Sequence, residues 1–415
     1  MFRDYGEQYI GIYKPSLQQI KLIRAIRVCK TPALGGFVYS CKSCGKNHYV
    51  YKSCGHSHCM LCQSIKREQW LDKLKTTLLK VPYVHSVFTL PHQLNSLAKW
   101  NEKVMYGLIM KVAWLTIKET TRKYGAYPGM TGVLHTFGSD MKYHIHVHCL
   151  VTFGGLGKNG DWMYPPHKKL LANYRVMCAT YKSIFLAHLH RLHIKGALNY
   201  PHNFDELMDR VAKLRWVVHT TYPTMNTDIL ENYLARYINR IAITNNRLHY
   251  IQNTHKVNLI YNDYKQQKSG EIAPKAIKTM EPLVAINQIL QHVLPRYFQK
   301  SRRHGLHNAS TKVRNELPQK LKRQTNTIRT LFQIITQLTK LTRFECENCK
   351  STDFTTSILL PSYHVISNFI SSDSLKSPPS ISENRGAITP SVTKTALIHI
   401  SLQENISDSL VDIAF

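Results

Sequence analysis

The sequence predicts an α+β fold in which a largely antiparallel sheet is covered by helices. Three observations carry that expectation. In Tyr143-His144-Ile145-His146-Val147-His148-Cys149-Leu150-Val151, histidines alternate with apolar residues at the period-two spacing of a strand. Along the chain the periodicities run strand, helix, strand, strand, then a further strand and helix. Ahead of them, Cys41/Cys44 and Cys59/Cys62 mark a small module built around paired thiols.

Taken in order, Ser16 to about Lys30 has helical spacing at Leu17, Ile20, Ile23, Ala25 and Val28, with Pro15 near its start. The cysteine-rich segment Cys41–Cys62 follows. A helix over about Lys66–Leu79 presents Trp70, Leu71, Leu74 and Leu78 on one face. Val84–Leu90 reads as a strand closed by Pro91, and Leu94–Tyr124 as one long amphipathic helix. Thr131–Phe137 and His144–Phe153 read as strands joined by a turn around Gly138–Lys142. Residues from about Lys158 to Leu214 read as an irregular helical insertion, Trp216–Thr221 as a strand, Asp228–Ile243 as a helix and Leu248–Tyr264 as β-rich. Pro282–Leu341 reads as helical and strongly basic. Ser351–Phe415, rich in Ser, Thr and Pro, reads as mostly disordered with little functional content. No internal repeat is evident.

The formal charge is +30. Residues 351–415 contribute three basic and six acidic side chains, so the first 350 carry 52 Lys/Arg against 19 Asp/Glu. An excess spread through folded sequence attracts polyanions, nucleic acid first among them. No apolar run is long enough to span a bilayer, and Met1-Phe2-Arg3-Asp4 does not open a secretory signal. The expectation is a soluble, intracellular protein without a membrane partner.

Ten cysteines placed at random would give about 0.24 Cys-x-x-Cys pairs, yet three are present, the third at Cys346/Cys349. In an intracellular chain this spacing points to metal before disulfide. Cys41-x2-Cys44-x14-Cys59-x2-Cys62 predicts a structural tetrahedral Zn²⁺ site, with Cys54, His56 and His58 available to replace one thiolate or bind a second ion. Such a site replaces a missing core and does no chemistry. Cys346/Cys349 has no second pair after it and is not expected to bind metal. His144, His146 and His148 project from one strand face and predict half of a divalent metal site. The alternative is a solvated strand face. Tyr233 and Tyr237 share a helix face, with Arg236 and Arg240 on a neighbouring one. By spacing alone they read as amphipathic core or surface tyrosines, since Tyr5, Tyr9 and Tyr13 show the same interval.

In this order the motifs resemble the rolling-circle transposases of the insertion sequence ninety-one family, within the class of HUH nucleases. Cys29-Lys30-Thr31-Pro32-Ala33-Leu34-Gly35-Gly36, Cys41-x-x-Cys44-Gly45, Ser53-Cys54, His58-Cys59-x-x-Cys62-Gln63 and Arg67-Glu68-Gln69-Trp70-Leu71 are similar to that family's zinc-binding domain. Phe88-Thr89-Leu90-Pro91-His92, Leu134-His135-Thr136-Phe137-Gly138 and His144-x-His146-Val147-His148-Cys149 resemble its nuclease core. Tyr233-Leu234-x-Arg236-Tyr237-x-x-Arg240 resembles its two-tyrosine helix, and Arg303-His304-Gly305-Leu306 its basic C-terminal region. Met60, Phe137 and Asn239 depart from the common proline, tryptophan and histidine.

The resemblance implies a zinc-binding domain over 1–83, an HUH two-tyrosine nuclease domain over 84–310 with an antiparallel sheet flanked by helices, a basic helical extension over 311–350 and a tail over 351–415. It implies a transposase that nicks and rejoins single-stranded DNA through a 5′-phosphotyrosine. His146 and His148 would hold Mg²⁺ or Mn²⁺, with His144 or His135 as third ligand, and Tyr237 or Tyr233 would attack. Arg236 and Arg240 would hold phosphates. The expected partners are the ends of a mobile element and its target, in a bacterial cytoplasm at the nucleoid. A relaxase or replication initiator would use the same residues. A catalytically inactive zinc-dependent DNA-binding protein is the alternative from another class.

Overall fold

The computed structural model describes residues 1–225, 243, 247–264, 266–267, 271–308, 317–322, 328–339, 344–361 and 397–399. The predicted helix over 228–243, with Tyr233, Arg236, Tyr237 and Arg240, lies outside them except for Ile243, as do residues 311–316, 323–327 and 340–343 of the predicted basic extension and most of the tail. Contacts divide the chain into two compact units. One comprises Met1–Lys21 with Lys66–Ile328, and the other Leu22–Ile65 with Arg329–Phe415. This division differs from the predicted boundaries at 83, 310 and 350, because both units are discontinuous in sequence.

The strands, in chain order, are β1 (Gly36–Cys41), β2 (Asn47–Tyr51), β3 (Tyr83–Thr89), β4 (Gly129–Phe137), β5 (Tyr143–Thr152), β6 (Gly155–Leu156), β7 (Trp162–Met163), β8 (Val218–Thr220), β9 (Leu248–Ile251), β10 (Lys256–Asn262), β11 (Lys275–Met280), β12 (Ser301–Gly305), β13 (Phe354–Leu359) and β14 (Leu397–His399). The first unit is organised by a five-stranded sheet of order β12-β4-β5-β3-β8, antiparallel throughout. A separate three-stranded meander, β11-β10-β9, falls in sequence between β8 and β12.

Alternation along β5 decides what lies on each side of the sheet. Ile145, Val147, Cys149 and Val151 point into a core shared with Phe88, Leu134, Ile109, Val112, Tyr181 and Phe185. That core is covered by helices Glu102–Arg122, Tyr174–Ile194 and Phe204–Lys213. Each such side chain, taken fully out of water, contributes about 1.5–3 kcal/mol. On the opposite face, Leu150 and Val133 join a smaller cluster with Leu71, Leu74, Leu306 and Leu317. The histidines of β5 share this second face.

Three sequence expectations change. The helix predicted over Leu94–Tyr124 is broken at Asn101 into Asn95–Trp100 and Glu102–Arg122. The Asn101 amide donates to the carbonyls of Leu97 and Asn199 and accepts from the Asn199 N–H, which holds its own backbone out of helical geometry. Second, among the described residues the stretch from Pro282 is α-helical to Leu290 and again over Leu331–Thr339, but not between. Ser301–Gly305 instead forms the edge strand β12 against Gly129–Val133. Gly305 adopts φ +56°, and a Cβ there would lie 2.0 Å from the Pro128 carbonyl oxygen. Third, the tail is not uniformly unstructured: Phe354–Leu359 pairs along the whole of β1. Its β-branched and aromatic content, Phe-Thr-Thr-Ser-Ile-Leu, outweighs the surrounding Ser/Pro bias.

Buried imidazoles make the first unit sensitive to acid. His292 donates from Nε2 to the Met141 carbonyl and accepts at Nδ1 from Thr136, an arrangement that requires the neutral ring. Burial pushes its pKa down to about 4, and that of His304 likewise. Both lie below the ordinary value near 6.5. The unfolded chain therefore binds protons that the fold refuses, so this contribution to stability is intact above about pH 6.5 and lost towards pH 4. The melting temperature should fall between pH 7 and pH 5, and His292→Asn should shrink that fall. A melting temperature that stays level over this interval in the parent chain would contradict the assignment.

Candidate metal centre and cysteine sites

His135 on β4 and His146 on β5 are direct cross-strand partners, and His148 stands two residues further along, opposite Val133. Alternation therefore sets all three on one face. One ring nitrogen from each lies within 4.8 Å of the others. His135 is buried, while His146 and His148 are half-buried. The Nε2 atoms of His146 and His148 are 3.0 Å apart. Two nitrogen lone pairs at that distance need a proton or a cation between them.

Hydrogen bonding selects which nitrogen of His146 faces inward. Its Nδ1 donates to the His144 carbonyl at 3.0 Å, leaving Nε2 as the lone-pair atom. His148 has Nε2 towards His146 and Nδ1 at 3.0 Å from Nε2 of His85 on β3. The two rings of that contact lie 5.1 Å apart and nearly parallel. Burial, with smaller contributions from His219 and His146, pushes His85 down to about 3. It stays neutral and can accept the His148 proton. Phe137 stacks on His135 at 5.0 Å, and the Lys300 ammonium lies 6.0 Å from the Phe137 ring centre.

His144, considered beside His135 as third member, stands outside this group. Between His135 and Phe137 the register shifts, so that Phe137 faces Tyr143 rather than His144. His144 stays on the same face of β5, exposed and with its ring 4.9 Å from that of His146, beyond the end of the group. His135 takes the place. His85 was not a candidate from sequence; its position is set by pairing of β3 with β5, where Val87 faces His148 and Thr89 faces His146. Only the register, which spacing along one strand does not reveal, brings it to the site.

The cysteine ligand set requires a correction. Cys41, Cys44, Cys59 and Cys62 do not form one group. Cys59 and Cys62 gather with Cys29 and Cys54, and Cys41 and Cys44 with Cys346 and Cys349. In the first group the Cys54 and Cys62 sulfurs are 3.7 Å apart, and the Cys54 N–H points at the Cys29 sulfur. Hydrogen bonds with Cys29 lead in drawing Cys62 down and in pushing Cys54 and Cys59 up. Four sulfurs at such spacing suit the tetrahedral thiolate set of Zn²⁺, whose edge is about 3.8 Å for bonds of about 2.3 Å. Cys54 was open as a substitute ligand; Cys29 carried no signal beyond its place in the Cys-Lys-Thr-Pro motif.

Comparison with known proteins bears on what these groups serve. A family described as a putative transposase matches residues 129–316, and a transposase zinc-binding domain matches residues 1–90. The putative transposase y4qJ of Sinorhizobium fredii (strain NBRC 101917 / NGR234) is 33% identical over 318 residues, covering 74% of this chain and 78% of that protein. The chain belongs to the IS91 family of transposases. The transposase for insertion sequence element IS801 of Pseudomonas savastanoi pv. phaseolicola is 26% identical over 293 residues, covering 69% and 70% of the two chains. No solved structure matches. Within this transposase, His135, His146 and His148 fall in the first match, and Cys29, Cys54, Cys59 and Cys62 in the second. The zinc-binding match and the cysteine groups support structural Zn²⁺.

If His148 meets an ion through Nε2, its Nδ1–H must be accepted by His85. Partners of this kind are worth about 10–100-fold in metal affinity. His85→Phe should weaken Mn²⁺ binding by about that factor in calorimetric titration, with His85→Gln between the two. An unaltered affinity in His85→Phe would remove His85 from the site.

Proposed function

We propose that this transposase nicks and rejoins single-stranded DNA through a 5′-phosphotyrosine, in a rolling-circle manner. The convergence of His135, His146 and His148 on one face of an antiparallel sheet is the observation that carries this reading. Membership of the family supports it, as does the excess of 52 Lys/Arg over 19 Asp/Glu in the first 350 residues. Among the described residues no helix is long and apolar enough to cross a membrane.

The donor set is three imidazoles with no carboxylate among the grouped residues. Mg²⁺ is a hard ion usually held through oxygen, so of the two expected ions Mn²⁺ is the better match. A divalent ion held there supplies positive charge that stabilises the charge building on a phosphate oxygen. The protein's own residues do the rest. A tyrosine hydroxyl, Tyr237 or Tyr233, attacks phosphorus, and its proton passes to solvent or a base. The bond to the 3′ oxygen breaks, leaving a free 3′-OH and the DNA joined to tyrosine. The reverse attack by a 3′-OH rejoins the strand, so the energy of the phosphodiester is kept and no ATP is needed. A free phenol has a pKa near 10, so it needs neighbouring cations to act at neutral pH. Arg236 and Arg240, each three positions after one of the two tyrosines, would hold phosphates. A second tyrosine would allow one end to stay attached while the other is cut.

Incubation with single-stranded oligonucleotides from the element ends and Mn²⁺ should yield DNA-linked tyrosine peptides by mass spectrometry. Tyr233→Phe or Tyr237→Phe should impair joining, and the double variant should form no adduct. His146→Ala or His148→Ala should lose cleavage and keep DNA binding in gel-shift assays. Adducts from the double Phe variant, or full cleavage by either His variant, would defeat the reading.

A further inference from the structure

The pair Cys346/Cys349 lies beyond both family matches, which end at residues 90 and 316. In sequence it is half a site. In the fold it meets Cys41 and Cys44, with Cys41 Sγ 3.4 Å from Cys349 Sγ and Cys44 Sγ 3.6 Å from Cys346 Sγ. All four sulfurs lie within 4.8 Å of one another. These separations are far beyond a sulfur–sulfur bond of about 2.05 Å and close to the edge of about 3.8 Å of a tetrahedral thiolate site.

The backbone around the two pairs is built alike. The Cys41 N–H donates to the Lys46 carbonyl, and the Gly45 N–H to the Cys41 carbonyl. In the second turn the Cys346 N–H donates to the Ser351 carbonyl, and the Lys350 N–H to the Cys346 carbonyl. Gly45 and Lys350, each following the second cysteine, both adopt positive φ, +72° and +61°. Lysine rarely takes that conformation, which costs of order 1 kcal/mol or more outside glycine. Two unrelated stretches folded into the same tight turn, each presenting two thiols to the other, form the two halves of one ligand set.

Other contacts hold the halves together. β13 pairs along β1 from Gly36/Leu359 to Cys41/Phe354. Lys42 pairs with Asp353 at 2.9 Å, and the Ser43 hydroxyl donates to that of Ser351. His48 Nε2 lies 3.3 Å from Cys346 Sγ, placed to donate a hydrogen bond to a thiolate. Such donors offset the net negative charge of four thiolates around one divalent ion.

We infer that Cys41, Cys44, Cys346 and Cys349 bind a second structural Zn²⁺, which fastens a C-terminal hairpin outside the family's zinc-binding domain to the hairpin inside it. Binding displaces thiol protons to solvent. The inference is independent of the nuclease reading, because it concerns metal content and not cleavage.

The test uses the full chain purified with zinc. Elemental analysis should give two Zn²⁺ per chain. Alkylation with N-ethylmaleimide followed by peptide mapping should find Cys346 and Cys349 protected together with Cys41 and Cys44, and released by a chelator without reductant. The double variant Cys346→Ser/Cys349→Ser should hold one Zn²⁺, with Cys29, Cys54, Cys59 and Cys62 still protected. The peptide map of the unmodified chain decides the matter even if that variant misfolds. One Zn²⁺ per chain, free alkylation of Cys346 and Cys349 before chelation, or protection that only a reductant removes would overturn the proposal.

Discussion

The register between β4 and β5 is the constraint on which the candidate metal centre depends. With His135 opposite His146, three imidazoles share a face and the apolar partners Ile145, Val147 and Cys149 fill the core behind them. A slip of one residue would exchange the two sets, burying charge-capable rings and exposing the aliphatic ones. The hydrophobic core therefore specifies the histidine cluster without touching it. Of the histidines on this face, His135, His146 and His148 bring ring nitrogens together, while His144 lies one step further out beside His146.

Burial gives these rings their chemistry. Desolvation disfavours the imidazolium, as the fall of His85 to about 3 shows. A neutral ring keeps a lone pair, and the hydrogen bonds from His146 to the His144 carbonyl and between His148 and His85 orient that pair. Over the chain as a whole the balance is strongly positive. The surplus of Lys and Arg serves a polyanion, whose binding weakens as salt rises. A cationic chain of this kind suits the DNA on which a transposase acts.

Much of this was legible in the residues, and the failures have identifiable causes. The alternation of β5 and the apolar face of the helix over Glu102–Arg122 were strong periodic signals, because packing repeats them over many residues. β12 was missed because five residues of Ser-Arg-Arg-His-Gly carry no strand pattern of their own and are held by pairing with β4. The cysteines were recognised pair by pair, yet their partners were not. Cys-x-x-Cys reports a turn, and a turn says nothing of which distant turn it faces. Chain proximity suggested Cys41/Cys44 with Cys59/Cys62, whereas the fold matched Cys41/Cys44 with residues some 300 positions later and Cys59/Cys62 with Cys29 and Cys54.

That long-range match has a bearing on how the molecule comes into being. Cys41 and Cys349 are 308 positions apart. At synthesis rates of about 5–20 residues per second, the early hairpin emerges from the ribosome roughly 15–60 s before its counterpart exists. Throughout that interval β1 has one bare edge and two unsatisfied thiols. A nascent chain cut short by a premature stop never closes them. Until Phe354–Leu359 has been made and paired, that edge of β1 is open to proteolysis and self-association.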